Sequence, residues 1–431
     1  MMRKKLGPGR IIALGFIVVI AVGTLLLSLP VSWEGEVTVS PVDALFTATS
    51  AVCVTGLSVF DPGDTLSLFG EAVLLLLIQT GGLGIATIAV GLFTFSGRKI
   101  GLQDRALVRE AFNTVTNKGI LTLLKKIFLI TACVEGLGAI LSFFAFRRYY
   151  SVGKALRLSI FHAVSSFNNA GFDIWGDGQS LEKFNSDALL YAVTGVLIIL
   201  GTLGFFVIQE IITVHSWKKF RLHTKIVLFM TAVLLAGGTV LIKLAEKENI
   251  SWLDAAFSSI TARTAGFAAV PYSAFSGAGL LVMMCLMFIG GSPGGTAGGV
   301  KTTTIFALFT ALRASSTNSQ TNAFGKKIQS DIIYKAFVIV AMGFAVVITV
   351  TGALMYIHPE LPLEDVLFEV VSAFATVGLS TGITVSFSAA GKIILVITMF
   401  IGRIGSLSIA TLWVTHRNDG ITRPEEKIPI G

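Results

Sequence analysis

Four segments of the chain share one pattern, in which an apolar stretch of about three helical turns leads into a glycine. The segments are centred on Gly56, Gly171, Gly266 and Gly378 and contain AVCVTGL, NNAGFD, TARTAGF and ATVGLSTG. Glycine adopts positive φ at little cost, which lets successive backbone carbonyls turn to one side. A ring of such carbonyls can replace the hydration shell of K⁺. The pattern therefore indicates that backbone oxygens coordinate a dehydrated cation.

The residues around the glycines favour the same chemistry. The nearby side chains Thr55, Asn169, Thr264 and Thr376 are uncharged, whereas a ring of carboxylates would indicate divalent selectivity. Each apolar stretch predicts a short helix, and its C-terminus carries about half a negative charge. The predicted filter residues are Val54, Thr55, Gly56, Asn169, Ala170, Gly171, Thr264, Ala265, Gly266, Thr376, Val377 and Gly378. Asp61 and Asp173 follow their loops and either form an acidic vestibule or are simply solvated.

The composition is that of an integral membrane protein. Of 431 residues, 53% are hydrophobic and 13% are charged, and the mean hydropathy is +0.81. Soluble domains carry about 25% charged residues. The five His and three Cys are too scattered for a metal site, and disulfides are not expected. The net charge of +8 is spread over loops, so it indicates orientation in a membrane rather than nucleic-acid binding.

Eight apolar runs are long enough to cross a bilayer, which takes about 20 residues. They lie near 11–30, 71–95, 120–146, 187–214, 224–244, 274–312, 332–357 and 389–415. Within each pair of spans lies a short run, near 41–52, 157–168, 252–262 and 363–375. The third short run needs a one-residue gap to match the others. A unit of about 105 residues predicts four tandem repeats, which we place at 1–97, 98–217, 218–325 and 326–431.

The predicted fold class is therefore an all-α integral membrane protein. It has four tandem helix–pore-loop–helix repeats, with eight transmembrane helices and four re-entrant half-helices around a pseudo-four-fold pore. Basic residues concentrate in the connections between repeats, which places these connections and both termini in the cytoplasm. Four basic residues contradict this rule, because they would lie outside: Arg147, Arg148, Lys154 and Arg157. The apolar run at 11–29 is too long for a signal-peptide core, so it predicts the first transmembrane helix.

The run FIGGSPGGTAGGVKTTT, at 288–304, interrupts the sixth span. So many glycines and a proline cannot remain helical across lipid. The run is either a slack kink or a mobile loop that lines the pore, and we predict a gate. The predicted gate residues are Gly290, Gly291, Ser292, Pro293, Gly294, Gly295, Thr296, Gly298, Gly299 and Arg403. Lys301 follows the run and is a candidate contact for a partner or a phosphate.

Arg403 lies in one of four matched glycine motifs in the second spans, which begin at Gly81, Gly201, Gly290 and Gly402. The motifs either serve close helix packing or have a further role at these matched positions. A charge in mid-span costs about 2.5–3.5 kcal/mol on insertion scales and usually faces a cavity. We predict that Arg403 is an electrostatic barrier that contacts loop carbonyls. Weaker candidates are Glu135 (local pairing or a helix contact), His162 and Glu369 (structural) and Glu210 (reaching water).

On these motifs, their order and their spacing, nearly the whole chain resembles the Trk/Ktr/HKT superfamily of potassium transporters, especially the membrane subunits of bacterial Ktr systems. The resemblance implies K⁺ uptake through the four-strand filter and gating by the intramembrane loop. All four filter glycines are present, which in this family goes with K⁺ preference. It further implies Na⁺ stimulation, a homodimer in the bacterial cytoplasmic membrane, and a nucleotide-binding cytoplasmic RCK subunit of the KtrA-like kind.

Three other functions compete with this one. A symporter coupled to Na⁺ or H⁺ predicts titrating residues at mid-membrane, for which Arg403 and Glu135 are the candidates. A membrane enzyme requires paired acidic or His motifs at a membrane face, and the chain has none, so no enzyme activity and no organic cofactor are expected. A purely structural membrane protein leaves the four repeated loops unexplained.

Overall fold

The computed structural model describes residues 8–35, 39–85, 87–88, 90–91, 120–184 and 187–405, and the fold over these ranges is helical. The helices are α1 (Pro8–Leu27), α2 (Pro41–Val52), α3 (Pro62–Thr65), α4 (Leu68–Leu83), α5 (Ile120–Phe146), α6 (Val152–Phe167), α7 (Ala188–Leu203), α8 (Phe205–Val214), α9 (Leu222–Glu246), α10 (Trp252–Thr261), α11 (Gly277–Phe288), α12 (Thr302–Ser316), α13 (Ser330–Ile357), α14 (Leu363–Ala375) and α15 (Ala389–Ile404). A hairpin of β1 (Asn322–Ala323) and β2 (Lys326–Lys327) follows α12.

Four helices among the described residues are long and apolar enough to cross a membrane, namely α1, α5, α9 and α13. They match the first span of each predicted repeat. Their apolar side chains face outward, as at Leu25, Leu129 and Ile348, which are 64–69% exposed. In water such surface would be unfavourable, whereas in a bilayer it faces lipid. The chain is therefore a multi-pass membrane protein.

The four predicted short helices are confirmed as α2, α6, α10 and α14, although α6 begins at Val152 rather than near 157. Local sequence explains two of the starts: the hydroxyls of Ser40 and Ser251 accept hydrogen bonds from amides three residues later, both at 3.1 Å. Most residues of these helices are buried. The packed centre of the fold is thus made of the short helices and the loops that follow them.

The interruption predicted for the sixth span is present between α11 and α12. The second spans of the other three predicted repeats were expected to be continuous, and this expectation is wrong. α4, α7 and α15 end at Gly84, Gly204 and Gly405, whose φ values are 84°, 88° and 91°. Positive φ at a C-cap stops a helix, and glycine reaches it cheaply. The bend between α7 and α8 is 97°. The matched glycine motifs therefore break these helices, besides allowing close packing.

The first glycines of three motifs also pack directly against the short helices. A Cβ added at Gly81, Gly201 or Gly402 would lie 1.8–2.0 Å from the carbonyl oxygen of Val52, Phe167 or Phe374. These three oxygens belong to the last turns of α2, α6 and α14. The repeated glycines thus hold each broken helix against the end of a short helix.

Candidate functional site

Each predicted filter segment has the same alternating backbone. Its first and third residues have positive φ, whereas the middle residue does not. The non-glycine positions are Val54, Asn169, Thr264 and Thr376, with φ between 52° and 69°. Positive φ is uncommon outside glycine and costs roughly 1–2 kcal/mol per residue. Four copies of this uncommon conformation at matched positions indicate a constraint on the direction of the carbonyl groups.

The four glycines close a ring. A Cβ on any one of them would lie 2.1–2.6 Å from the carbonyl oxygen of the middle residue in the next segment. The contacts run from Gly56 to Ala170, from Gly171 to Ala265, from Gly266 to Val377 and from Gly378 to Thr55. The last contact joins the end of the chain's fourth segment to the first. The twelve predicted residues are thus brought together, and backbone rather than side chains forms the inner surface.

The amides of the ring are engaged by the short helices. Thr55, Ala170 and Val377 donate to carbonyl oxygens five residues upstream at 2.7–2.9 Å, while Ala265 donates to Thr261, four residues upstream, at 2.9 Å. The shorter spacing in the third segment agrees with its predicted one-residue gap. In the part of the chain that the structure describes, the carbonyls of the twelve residues accept no hydrogen bond. A ring of uncommitted carbonyl oxygens can coordinate a cation.

The run of predicted gate residues forms a loop over 289–301, between α11 and α12, and lies inside the bundle. Its partners come from other parts of the fold. The amides of Ser292 and Thr296 donate to Thr202 and Gly201 carbonyls, both at 3.1 Å, and Gly294 O accepts from Phe205 N at 3.1 Å. The loop is therefore packed against the break between α7 and α8 rather than extended as slack chain.

The same loop lies directly beside the short helices. The hydroxyl of Thr296 donates to Phe167 O, at the end of α6, at 3.2 Å. A Cβ on Gly298 would lie 2.0 Å from the hydroxyl oxygen of Thr376, in the ring. A loop at this distance from the ring is in a position to affect whatever passes through it.

Arg403 connects this loop to the first glycine motif. Its guanidinium donates to the carbonyl oxygens of Thr296 in the loop and of Gly81 at the end of α4. In this structure the Nζ of Lys301 donates back to Ala297 O in the loop at 2.6 Å, and its proposed contact with a partner or a phosphate stays a prediction. Arg403 and Lys301 together place two cationic groups on the loop's carbonyls.

Two residues behind the ring, Asn168 and Arg263, were not singled out from sequence. Asn168 donates to Gln79 Oε1 at 3.0 Å and to Glu135 Oε1 at 2.9 Å, so Glu135 joins three helices by a local contact. Arg263 is 2% exposed and has no ion pair among the described residues. A sequence signal existed for Arg263, because it is the single charged residue between Asp254 and the third filter glycine.

The remaining polar candidates form structural contacts. His162 is buried and pairs with Thr194 Oγ1 at 2.8 Å, and Glu369 is buried and accepts from Thr384 Oγ1. Glu210 is partly exposed near the end of α8, and its carboxylate also accepts from Arg221 N at 3.0 Å. These side chains tie neighbouring elements together rather than facing the ring.

Several loops and helix starts carry paired charges. Two of the basic residues that violated the orientation rule have carboxylate partners: Arg148 lies 3.0 Å from Asp187 and Arg157 lies 3.5 Å from Glu71. Asp61 accepts from Gly178 N at 2.5 Å and so joins the first two predicted repeats. Burial raises the pKa of the Asp173 carboxyl, and the charge of Asp61 acts in the same direction.

Comparison with known proteins agrees with this architecture. The TrkH family model, described as a cation transport protein, matches residues 11–422. The chain is 37% identical to the potassium/sodium uptake protein NtpJ of Enterococcus hirae, covering 100% of this chain and 98% of the relative. It is 35% identical to Ktr system potassium uptake protein B of Bacillus subtilis, covering 98% and 97%.

A solved structure extends the comparison to the fold. The potassium transporter TrkH from Vibrio parahaemolyticus superposes with a TM-score of 0.75 at 18% identity, over 96% of this chain and 86% of that one. At this identity the likeness shows the fold alone. The family model and the full-length relatives, together with the bundle geometry, show that this chain belongs to the TrkH family of cation transport proteins and is related to Ktr uptake subunits.

Proposed function

We propose that the protein is the membrane subunit of a K⁺ uptake system, in which the ring of four segments is the selectivity filter. The observation that carries the proposal is the closed ring of uncommitted carbonyls, with each glycine packed against the next segment. A Cβ at any of the four glycines would collide with backbone oxygen, so only glycine allows the close approach. The names of the full-length relatives support K⁺, with Na⁺ as a second relevant ion.

The short helices supply the favourable field for a cation. Their C-terminal ends lead directly into the ring, and each end carries about half a negative charge. Irregular backbone at membrane depth persists where it is buried in protein or lines a water-filled cavity, which suits four re-entrant half-helices around one pore. The four tandem repeats at 1–97, 98–217, 218–325 and 326–431 belong to this proposal.

The loop over 289–301 is proposed as the gate, on the cytoplasmic side of the filter. It occupies the bundle interior beside Thr376, and Arg403 holds it to α4. In this closed arrangement the positive charges of Arg403 and Lys301 oppose cation passage. Opening requires the loop to leave its partners on α7, and a cytoplasmic nucleotide-binding RCK subunit is proposed to supply the free energy. A homodimer with one pore per protomer, cytoplasmic termini and stimulation by Na⁺ complete the proposal.

The test is ⁸⁶Rb⁺ uptake into liposomes that contain the purified protein, with K⁺ or Na⁺ as competitor. We expect K⁺ but not Na⁺ to block uptake, and Gly56→Ser to lose this discrimination, because the new Cβ would meet Ala170 O at 2.5 Å. If the wild type is silent, deletion of 291–299 should restore flux, and continued silence would refute a pore. Uptake that needs a Na⁺ or proton gradient would instead establish a symporter.

A further inference from the structure

A cavity of about 790 Å³ lies away from the proposed pore, between α9, α12 and the hairpin that follows α12. This volume is within the usual range for a ligand pocket, about 300–1,000 Å³. Its walls are aromatic and aliphatic and include Phe229, Val233, Phe306, Phe309 and Phe324. The rings of Phe306 and Phe324 are stacked 6.4 Å apart, and Phe229 packs edge-on against both. The interior therefore suits a hydrocarbon chain.

The rim of the cavity, which consists of the polar part of its lining together with the adjacent hairpin lysines, is positively charged. Arg313, Thr317, Ser319 and Gln320 lie along it. Lys326 and Lys327 lie on β2, next to the cavity-lining residues Ala323 and Asn322 of β1. Successive strand residues face opposite sides, so the two lysines flank the cavity edge from either side of the hairpin. Among the described residues, none of these three basic side chains forms an ion pair with a carboxylate. The rim thus offers a site for an anionic group.

The positions of the cavity-lining residues along α9 place the aromatic wall and the basic rim at different depths in the membrane. Phe229 and Val233 lie seven and eleven residues after Leu222, where α9 begins, which is about 10–17 Å along a helix axis. Because α9 is long and apolar enough to span a membrane, the aromatic wall is at hydrocarbon depth. The basic rim is at the end of the span, where lipid headgroups lie.

We infer that this cavity binds an anionic phospholipid, with an acyl chain among the phenylalanines and the phosphate on Arg313, Lys326 and Lys327. The large apolar residues at its mouth remain accessible, with Phe309 65% and Phe229 46% exposed. In a bilayer that surface meets lipid first, and the basic rim matches an anionic headgroup. A peptide of a partner protein would have to displace lipid to occupy the same place.

Occupancy would act on the loop over 289–301 through α12. This helix begins at Thr302, whose amide donates to Gly291 O in the loop at 3.0 Å. Ile305, Phe306 and Phe309, in its first two turns, line the cavity. A lipid wedged between α9 and α12 would hold α12 in place and so bias the loop. This regulatory consequence rests on the proposed function, whereas lipid binding does not.

The binding test uses Trp217, whose ring lies 6.2 Å from that of Phe324. The intact protein is reconstituted in phosphatidylcholine vesicles that contain increasing amounts of brominated phosphatidylglycerol or, in parallel, brominated phosphatidylcholine. The part of the quenching signal that disappears in the Trp217→Phe variant is the part that comes from Trp217. Because Trp217 is 48% exposed, we expect the fold to tolerate this substitution. We expect half-maximal quenching at about a tenfold lower mole fraction for phosphatidylglycerol, a difference of about 1.4 kcal/mol.

Two variants locate the site. The triple change Arg313→Gln, Lys326→Gln and Lys327→Gln should abolish the preference, while Lys154→Gln, Lys247→Gln and Lys335→Gln, with the same change in net charge, should keep it. Val233→Phe should abolish it by filling the cavity. Two results would overturn the proposal: equal quenching by both lipids, or an equal loss of the phosphatidylglycerol preference in both triple variants.

Two further outcomes would show that the cavity binds something other than a phospholipid. Competition by soluble glycerol 3-phosphate would identify a site for a free anion. A Val233→Phe variant that changes stimulation by a cytoplasmic partner but not lipid quenching would identify a protein-docking site. Either result would contradict lipid binding. Because quenching does not require transport, failure of the pore proposal would leave these results interpretable.

Discussion

The ring and the loop over 289–301 are both irregular backbone inside a helical bundle, but they are held in different ways. The ring amides bond to their own short helices within six residues. The loop has some local bonds, but it is also anchored to α6, α7, α8 and Arg403, which are distant in sequence. Locally held backbone keeps its shape when neighbours move, whereas backbone held by distant partners does not. This difference supports the proposal that the ring is the selectivity filter and the loop is the moving part.

The largest expected effect tests the ring with two matched glycines. Gly378 and Gly382 have φ values of 95° and 99°, but a Cβ on Gly378 would lie 2.1 Å from Thr55 O, whereas none on Gly382 meets an atom within 4 Å. Both alanine variants carry the backbone strain, roughly 1–2 kcal/mol, so only Gly378→Ala adds the clash. We expect Gly378→Ala to reduce K⁺-sensitive ⁸⁶Rb⁺ uptake at least ~10-fold more than Gly382→Ala. Equal losses would attribute the effect to strain and not to the ring.

The next effect concerns the distant anchor of the loop. Arg403→Ala removes the donors to Thr296 and Gly81 together with the charge. We expect uptake in the absence of a partner to rise about tenfold, equivalent to ~1.4 kcal/mol. Arg403→Lys separates the contribution of the positive charge from that of the hydrogen bonds, because lysine keeps the charge but lacks the forked geometry of the guanidinium. Reduced uptake in Arg403→Ala, in protein that is folded by thermal-shift assay, would contradict a blocking role.

A smaller effect compares one distant and one local hydrogen bond of the same loop. Thr296→Val removes the bond to Phe167 O, on α6, whereas Ser292→Ala removes a contact to Thr302, at the loop's own end. A neutral hydrogen bond contributes about 0.5–1.5 kcal/mol, so Thr296→Val should raise partner-free uptake roughly two- to tenfold. Ser292→Ala should change it less. The opposite order would mean that local contacts hold the loop.

Much of the fold follows from the sequence because it depends on local patterns. The apolar runs predicted α1, α5, α9 and α13, and the shorter runs predicted the four short helices to within a few residues, since run length and caps are local properties. The break in the sixth span was predicted from its glycines and proline, whereas the breaks in the second, fourth and eighth spans were not. The glycine motifs of these spans were assigned either to close packing or to a further role, and whether Gly84 or Gly204 takes positive φ depends on its neighbours.

The candidate site likewise has features that local sequence predicts and features that depend on tertiary packing. From sequence alone, the four glycine segments could be predicted to form one group, because residue type and spacing repeat. Closure of the ring from Gly378 back to Thr55, the fold-back of Lys301 and the contact of Glu135 with Asn168 are decided by the tertiary structure. These contacts join residues that are close only after the helices pack, so no local pattern encodes them. The sequence by itself determined which segments form short helices and turns, because residue type and spacing act locally. Only the packing of the helices decided which residues those turns contact.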